Sequence, residues 1–186
     1  RPEIAIECHP GYLKEEDWHY LLDSGFNRFS LGIQDFNDEV LRCVNRQPAL
    51  LPVETIMKIL REGGAKVNFD FIYGLPKQSV SAFVSTIKKA ISLRPDRLVT
   101  FSYAHLPSLF KRQMILEKAG LPSQNEKLKM FEEASKTLQA AGYVPIGMDH
   151  FVLPDDDLSV ALQHHSLHRN FQGYCPRRIT AQVYAF

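Results

Sequence analysis

Four short runs of this chain alternate large apolar residues with small or polar ones, and helical patterns separate them. The runs are EIAIE (3–7), RFSLGIQ (28–34), KVNFDFIYG (66–74) and RLVTFSYAH (97–105), a period of two that reads as β-strand. After the first, LKEEDWHYLLDSG sets leucines at 13, 21 and 22 ahead of Gly25, a residue suited to a helix C-cap, and residues 35–45 hold a second short helix. VETIMKILREGG keeps positions 53, 56, 57 and 60 on one face, and Phe83, Val84, Ile87, Ala90 and Ile91 mark a helix that stops before Arg94 and Pro95. A last helix opens on Ser123 and Glu126, spaced as a capping box, and its apolar stripe runs through Leu128, Phe131, Ala134 and Leu138 to Gly142. The stretch between Pro107 and Pro122 reads as an excursion over the mouth of a barrel. Strands and helices in alternation predict an α/β fold built on about four parallel strands with flanking helices.

Strand parity then separates two faces. One carries Ile4, Ile6, Phe29, Leu31, Ile33, Phe69, Phe71, Val99 and Phe101, the other Ala5, Glu7, Ser30, Gly32, Gln34, Asn68, Asp70, Thr100, Ser102 and Ala104. Bulky apolar side chains are what covering helices require, whereas a small and polar face would leave polar groups unpaired if packed dry. The second face is therefore expected to line a cavity, with Glu7, Gln34, Asp70 and Ala104 late in their strands, at the end where parallel α/β sheets bind ligands. For Asp70 alone a solvent-facing carboxylate is the plain alternative; agreement among four strands favours a ligand-lining role.

Composition removes several classes of function. Twenty-two basic and 21 acidic residues leave a net charge of +1 across 186 residues, so no global field favours nucleic acid or an anionic membrane. No run of apolar residues is long enough to span a bilayer and RPEIAIE has no signal-peptide layout, so a cytoplasmic protein without nucleic-acid or membrane partners is expected. Cys8, Cys43 and Cys175 are odd in number and widely spaced, which reads as free thiols rather than disulfides or a ligand set, and no metal site is assigned. His164 and His168 stand at helical i, i+4 spacing, with Asp149 and His150 in the preceding segment. A zinc-dependent hydrolase would use such a pair, although exposed histidines on a polar helix are the commoner reading.

The strings GFNRFSLGIQDFNDEVLRCVNR, FDFIYGLPKQ, RLVTFSYAHLP, GMDHFVLPDD and LHRNFQGY together resemble the oxygen-independent coproporphyrinogen III oxidases, radical S-adenosylmethionine (SAM) enzymes of haem biosynthesis. The resemblance covers residues 3 to about 174 and implies a partial radical SAM (β/α)6 TIM-like barrel over 1–174, with a divergent C-terminal tail over 175–186. It implies SAM and a [4Fe–4S] cluster as cofactors, the cluster delivering an electron to the sulfonium so that a 5′-deoxyadenosyl radical removes hydrogen from a propionate. Loss of carbon dioxide and one electron leaves a vinyl group. Repetition at a second propionate converts coproporphyrinogen III to protoporphyrinogen IX. The family's SAM contacts fall on Glu7, Gln34, Arg46, Asp70 and Ala104, three of them the late polar positions of the parity argument. Arg46 suits the SAM carboxylate, Gln34 and Asp70 the ribose hydroxyls, Glu7 a cationic group and Ala104 a backbone contact near the adenosyl moiety. Phe171 and Gln172 fall at the substrate end, and Asp149 and His150 in GMDHF are expected to be structural or close to substrate.

The family's CxxxCxxC motif and its glycine-rich GGT stretch do not occur in these residues and would precede Arg1. The expectation is therefore a fragment that does not hold the cluster and is inactive alone, its first strand an open edge where a homodimer would form. The electron donor and acceptor are not specified. The alternative reading is a haem- or porphyrin-binding homologue without turnover.

Overall fold

A computed structural model of the chain describes residues 2–170 and 173–176. The elements run β1 (Ala5–Cys8), α1 (Glu15–Asp23), β2 (Arg28–Gln34), α2 (Asp38–Cys43), α3 (Val53–Glu62), β3 (Lys66–Tyr73), α4 (Val80–Leu93) and β4 (Arg97–Ser102). A single 3-10 turn then leads into α5 (Met114–Lys118), followed by α6 (Gln124–Ala140), β5 (Val144–Gly147), β6 (His150–Val152), α7 (Asp157–Gln163) and the small β7 (His168–Arg169) and β8 (Tyr174–Cys175) pair. The main sheet has the order β1-β2-β3-β4-β6-β5. Its first three pairings are parallel, and β6 and β5 extend it antiparallel. This is the predicted α/β half-barrel with β1 at one edge, plus a hairpin the alternation pattern did not predict.

The helices form where the sequence supplies both a start and a buried face. Ser79 accepts from the backbone N–H of Ala82 to open α4, whose Phe83, Ile87 and Ala90 are wholly buried. Arg94 ends it in the left-handed region ahead of Pro95. Ser123 and Glu126 close the capping box of α6. Its buried stripe, however, is Met130, Ala134 and Leu138, whereas Leu128 lies 57% exposed, so the predicted stripe was rotated by part of a turn. All these helices cover one face of the sheet, where Trp18, Phe29, Leu31, Phe69 and Phe71 make the core.

Register corrects one parity assignment. Phe69 pairs with Leu98, Asp70 with Val99 and Phe71 with Thr100, so Val99 and Phe101 share the concave face with Asp70, while Thr100 and Ser102 point to the helix side. Thr100 is accordingly buried and Phe101 exposed. Leu98 and Val99 are adjacent apolar residues, so hydropathy within β4 did not fix its phase. Pairing with β3 did.

The N-terminal end of the concave face is plugged by charge. Arg97 donates Nε and Nη2 to the Asp156 carboxylate at 2.9–3.0 Å, and Arg28 lies 2.9 Å from Glu3 and 3.9 Å from Asp156. Asp156 also caps α7 through the Leu158 N–H at 2.9 Å. The cluster fills the end of the concave face opposite the C-terminal strand ends.

Tyr143 ties the hairpin to the barrel. Its hydroxyl donates to the Pro95 carbonyl at 2.8 Å in a buried setting, where burial also pushes the phenol well above its usual range. Tyr143→Phe removes one neutral hydrogen bond and orphans that carbonyl, an expected loss of about 1 kcal/mol. A thermal melt should fall by roughly 2–4 °C, and an unchanged melt would show that the bond contributes nothing.

Candidate functional site

A cavity of about 300 Å³ opens at the C-terminal ends of β1, β2 and β3, lined by Glu7, Cys8, His9, Ser30, Gly32, Gln34, Arg46 and Asp70. Four of the five predicted cofactor contacts, Glu7, Gln34, Arg46 and Asp70, thus share one concavity. Ala104 does not line it. It follows β4 as an exposed residue, its carbonyl accepting from Gln113 Nε2 at 3.1 Å. Phe171 and Gln172 lie outside the described residues.

Each side chain reaches the cavity for a local reason. Asp70 stands on the row Gly32–Asp70–Val99 and accepts from Ser30 Oγ at 2.6 Å and from Asn68 Nδ2 at 2.9 Å. Burial raises its pKa, against the pull of those hydrogen bonds and of the neighbouring His150 and Arg46. Gln34 arrives by a less direct route. The register shifts between Gly32 and Gln34, and Gln34 takes φ +66°, so a β-bulge rather than simple alternation brings it to the cavity. Its Oε1 and the Oδ1 of Asn68 are buried without a hydrogen-bond partner among the described residues.

Arg46 comes from outside the sheet. Asn45, at φ +53°, turns the chain back after α2, and Arg46 Nη2 then donates to the Gly32 carbonyl. A Cβ on Gly32 would sit 2.6 Å from that nitrogen and 3.0 Å from Gln34 Nε2, so only glycine lets both groups approach. Burial lowers the Arg46 pKa, opposed by Tyr12 and Asp70, yet a guanidinium stays charged at any ordinary pH.

Among the lining residues His9 and Cys8 were not foreseen, and Ser30, like the neighbouring Asn68, was placed on the right face without a role. His9 Nδ1 accepts from the Gly11 N–H at 3.0 Å, and burial and the neighbouring Arg46 lower its pKa, so a neutral ring offers Nε2–H. Burial and then Glu7 push the Cys8 thiol up to about 12, which keeps it protonated and inert. A wider cleft of about 440 Å³ adjoins Gly32, lined largely by apolar residues such as Phe36, Leu41 and Leu51; its buried acid, Asp35, is already fully bonded. The i, i+4 helical pair of histidines does not form, because α7 ends at Gln163 and His164 and His168 are exposed on different segments. Among the described residues no three His, Cys, Asp or Glu side chains gather as a metal site.

A half-barrel of parallel βα units with its polar residues gathered at the C-terminal strand ends is an arrangement that this chain shares with the radical SAM superfamily. The superfamily's sequence model matches residues 1–90. Within that superfamily the chain is similar to the oxygen-independent coproporphyrinogen III oxidases. It is 47% identical to the Salmonella typhimurium protein over 173 residues, 92% of this chain, and 40% identical to the Helicobacter pylori protein over 182 residues. The solved structure of coproporphyrinogen III oxidase from Escherichia coli, a radical SAM enzyme, superposes with a TM-score of 0.88 at 45% identity over 94% of this chain and 41% of that one. The chain spans 38% of the length of the Salmonella relative. No helix among the described residues is long and apolar enough to cross a membrane.

Proposed function

We propose that this chain is the SAM-facing and substrate-facing part of an oxygen-independent coproporphyrinogen III oxidase, which converts two propionates of coproporphyrinogen III to vinyl groups without oxygen. The observation that carries the reading is the convergence of Glu7, Gln34, Arg46 and Asp70 on one cavity, together with buried carboxamide oxygens that lack partners among the described residues.

The donor set fits SAM. Arg46 supplies a guanidinium for the amino-acid carboxylate, already oriented by its bond to Gly32. Asp70, Gln34 and Asn68 offer acceptors for ribose hydroxyls, and Glu7 an anionic wall for a cationic centre. SAM bound beside a reduced [4Fe–4S] cluster supplies hydrogen abstraction through reductive cleavage of its sulfonium. Cys8, Cys43 and Cys175 are free and do not gather, so no residue described here is assigned to the cluster. What these residues do is hold and orient the ligand. The apolar Val99 and Phe101 continue the same concave face toward β6.

Equilibrium dialysis of the chain against SAM tests the reading. Saturable binding is expected, with a large loss in Gly32→Val, whose side chain would occupy the space that Arg46 and Gln34 need. Absence of saturable binding by the parent chain would overturn it.

A further inference from the structure

The concave face does not end at Asp70. The β3, β4 and β6 registers place Asp70, Val99 and His150 in one row, two strand spacings or about 10 Å from end to end along the sheet. The row changes character on the way. Its β1 to β3 half is polar, whereas its β4 to β6 half carries Val99, the exposed Phe101 and His150 with Tyr174 against it.

His150 is held as few surface histidines are. Its Nδ1 lies 2.7 Å from Asp149 Oδ1, and the Asp149 carbonyl accepts from the Thr100 N–H at 2.9 Å, which fixes that residue to β4. The ring stands edge-on to Phe101, with centroids 6.4 Å apart, and to Tyr174 at 5.0 Å. Tyr174 itself occupies the room left by a missing Cβ at Gly147, where its hydroxyl would be 2.4 Å away. Among the described residues nothing bonds to His150 Nε2, although the side chain keeps only 17% of its surface. A fixed imidazole with one nitrogen committed to a carboxylate and the other left over is the arrangement of a ligand-binding histidine.

We infer that His150 anchors a side-chain carboxylate of a tetrapyrrole, with Asp149 as its positioning residue. The inference rests on the coproporphyrinogen reading of the site. A carboxylate arriving at Nε2 meets the ring nitrogen that Asp149 leaves free. Phe101 and Tyr174 supply flat apolar surface for the pyrrole rings beside it. Asp70, the acid at the other end of the row, would repel a propionate, which leaves the His150 end for it.

The test titrates the chain with coproporphyrin III, the air-stable oxidised form that keeps the propionates, and with its tetramethyl ester, in which they are blocked. Each is followed by porphyrin fluorescence, with SAM binding measured in parallel. His150→Gln is expected to weaken coproporphyrin III about tenfold and to leave the ester and SAM unchanged. Asp149→Asn, which keeps an acceptor at Nδ1 but drops its charge, gives a smaller loss with the same ester insensitivity. Equal losses for acid and ester would mean that the histidine only packs, and would overturn the inference. So would an unchanged affinity, or a parent chain that binds no coproporphyrin III. Acid-selective porphyrin binding that depends on His150 in a chain that binds no SAM would support the anchor while overturning the cofactor reading.

Discussion

Arg46→Ala is expected to lower the affinity of the chain for SAM by about 10- to 100-fold, because a charge-assisted pair with a carboxylate contributes roughly 1.5–3 kcal/mol. The guanidinium is half-buried, one edge committed to the Gly32 carbonyl and the rest turned to the cavity. Arg46→Lys should not restore binding, since a point charge with rotating donors cannot hold the carbonyl and a carboxylate in one plane. The same variant has a second readout. Burial raises the Asp70 pKa in the folded chain and Arg46 opposes the rise. A raised carboxyl contributes stability that is complete below its unfolded pKa and lost as pH rises through the folded one. Without Arg46 the folded value moves further up, so in the ligand-free chain this loss extends to higher pH. Melts taken from about pH 4 upward should show the two proteins diverging as pH increases. Parallel curves and an unaltered SAM affinity would remove Arg46 from the site.

How much of this was legible before the fold is best seen strand by strand. In β2 and β3 large apolar residues alternate cleanly with Ser30, Gly32, Asn68 and Asp70, and a one-residue slip would bury all four against helices, so the concave face could be read directly. In β4 both parities carry apolar residues, and only hydrogen bonding to β3 chose Val99 and Phe101 for the inside. The β5–β6 hairpin was invisible for another reason. VPIG contains a proline and a glycine, which argue against a strand, yet β5 is the sheet edge, where the missing N–H of Pro145 is tolerated. Gln34 was singled out by alternation, but a bulge is what brings it to the cavity. Arg46 carries no periodic signal, since a left-handed Asn45 and a carbonyl fourteen residues upstream place it; only resemblance to a family could name it. His150 lies on the missed hairpin, so its row with Asp70 could not be read until β6 was found.

Asp35 shows the same dependence on tertiary contacts, and Asp35→Ala is expected to be among the most damaging single changes in the chain. Asp35 is 3% exposed and accepts from Gln78 Nε2 and Thr86 Oγ1, each at 2.7 Å, and from the Asn37 N–H at 2.9 Å. Gln78 in turn holds the YGLP turn by accepting from the Leu75 N–H and donating to the Ile72 carbonyl, both at 2.9 Å. One carboxylate therefore joins the end of β2, the loop after β3 and the buried face of α4. Alanine would leave the buried Thr86 hydroxyl and one N–H of the Gln78 amide without an acceptor, at about 1–3 kcal/mol each before relaxation, and would free the part-buried Asn37 N–H, so a net loss of about 3–5 kcal/mol follows. For a chain of this length that is roughly a 10 °C fall in Tm. Asp35→Asn should cost less, because its carbonyl still serves Thr86 or Asn37 while its amide opposes only Gln78. Gln34, the next residue upstream, sits in the bulge that Asp35 helps to fix, so SAM affinity should fall with stability even though Asp35 does not line the small cavity. In a cycle with Thr86→Val, non-additive losses would confirm that the two share a bond. An Asp35→Ala chain that melts within about 3 °C of the parent, a shift of only about 1 kcal/mol, would mean that the turn and the bulge hold themselves, and Gln34 would then need some other explanation for its left-handed backbone.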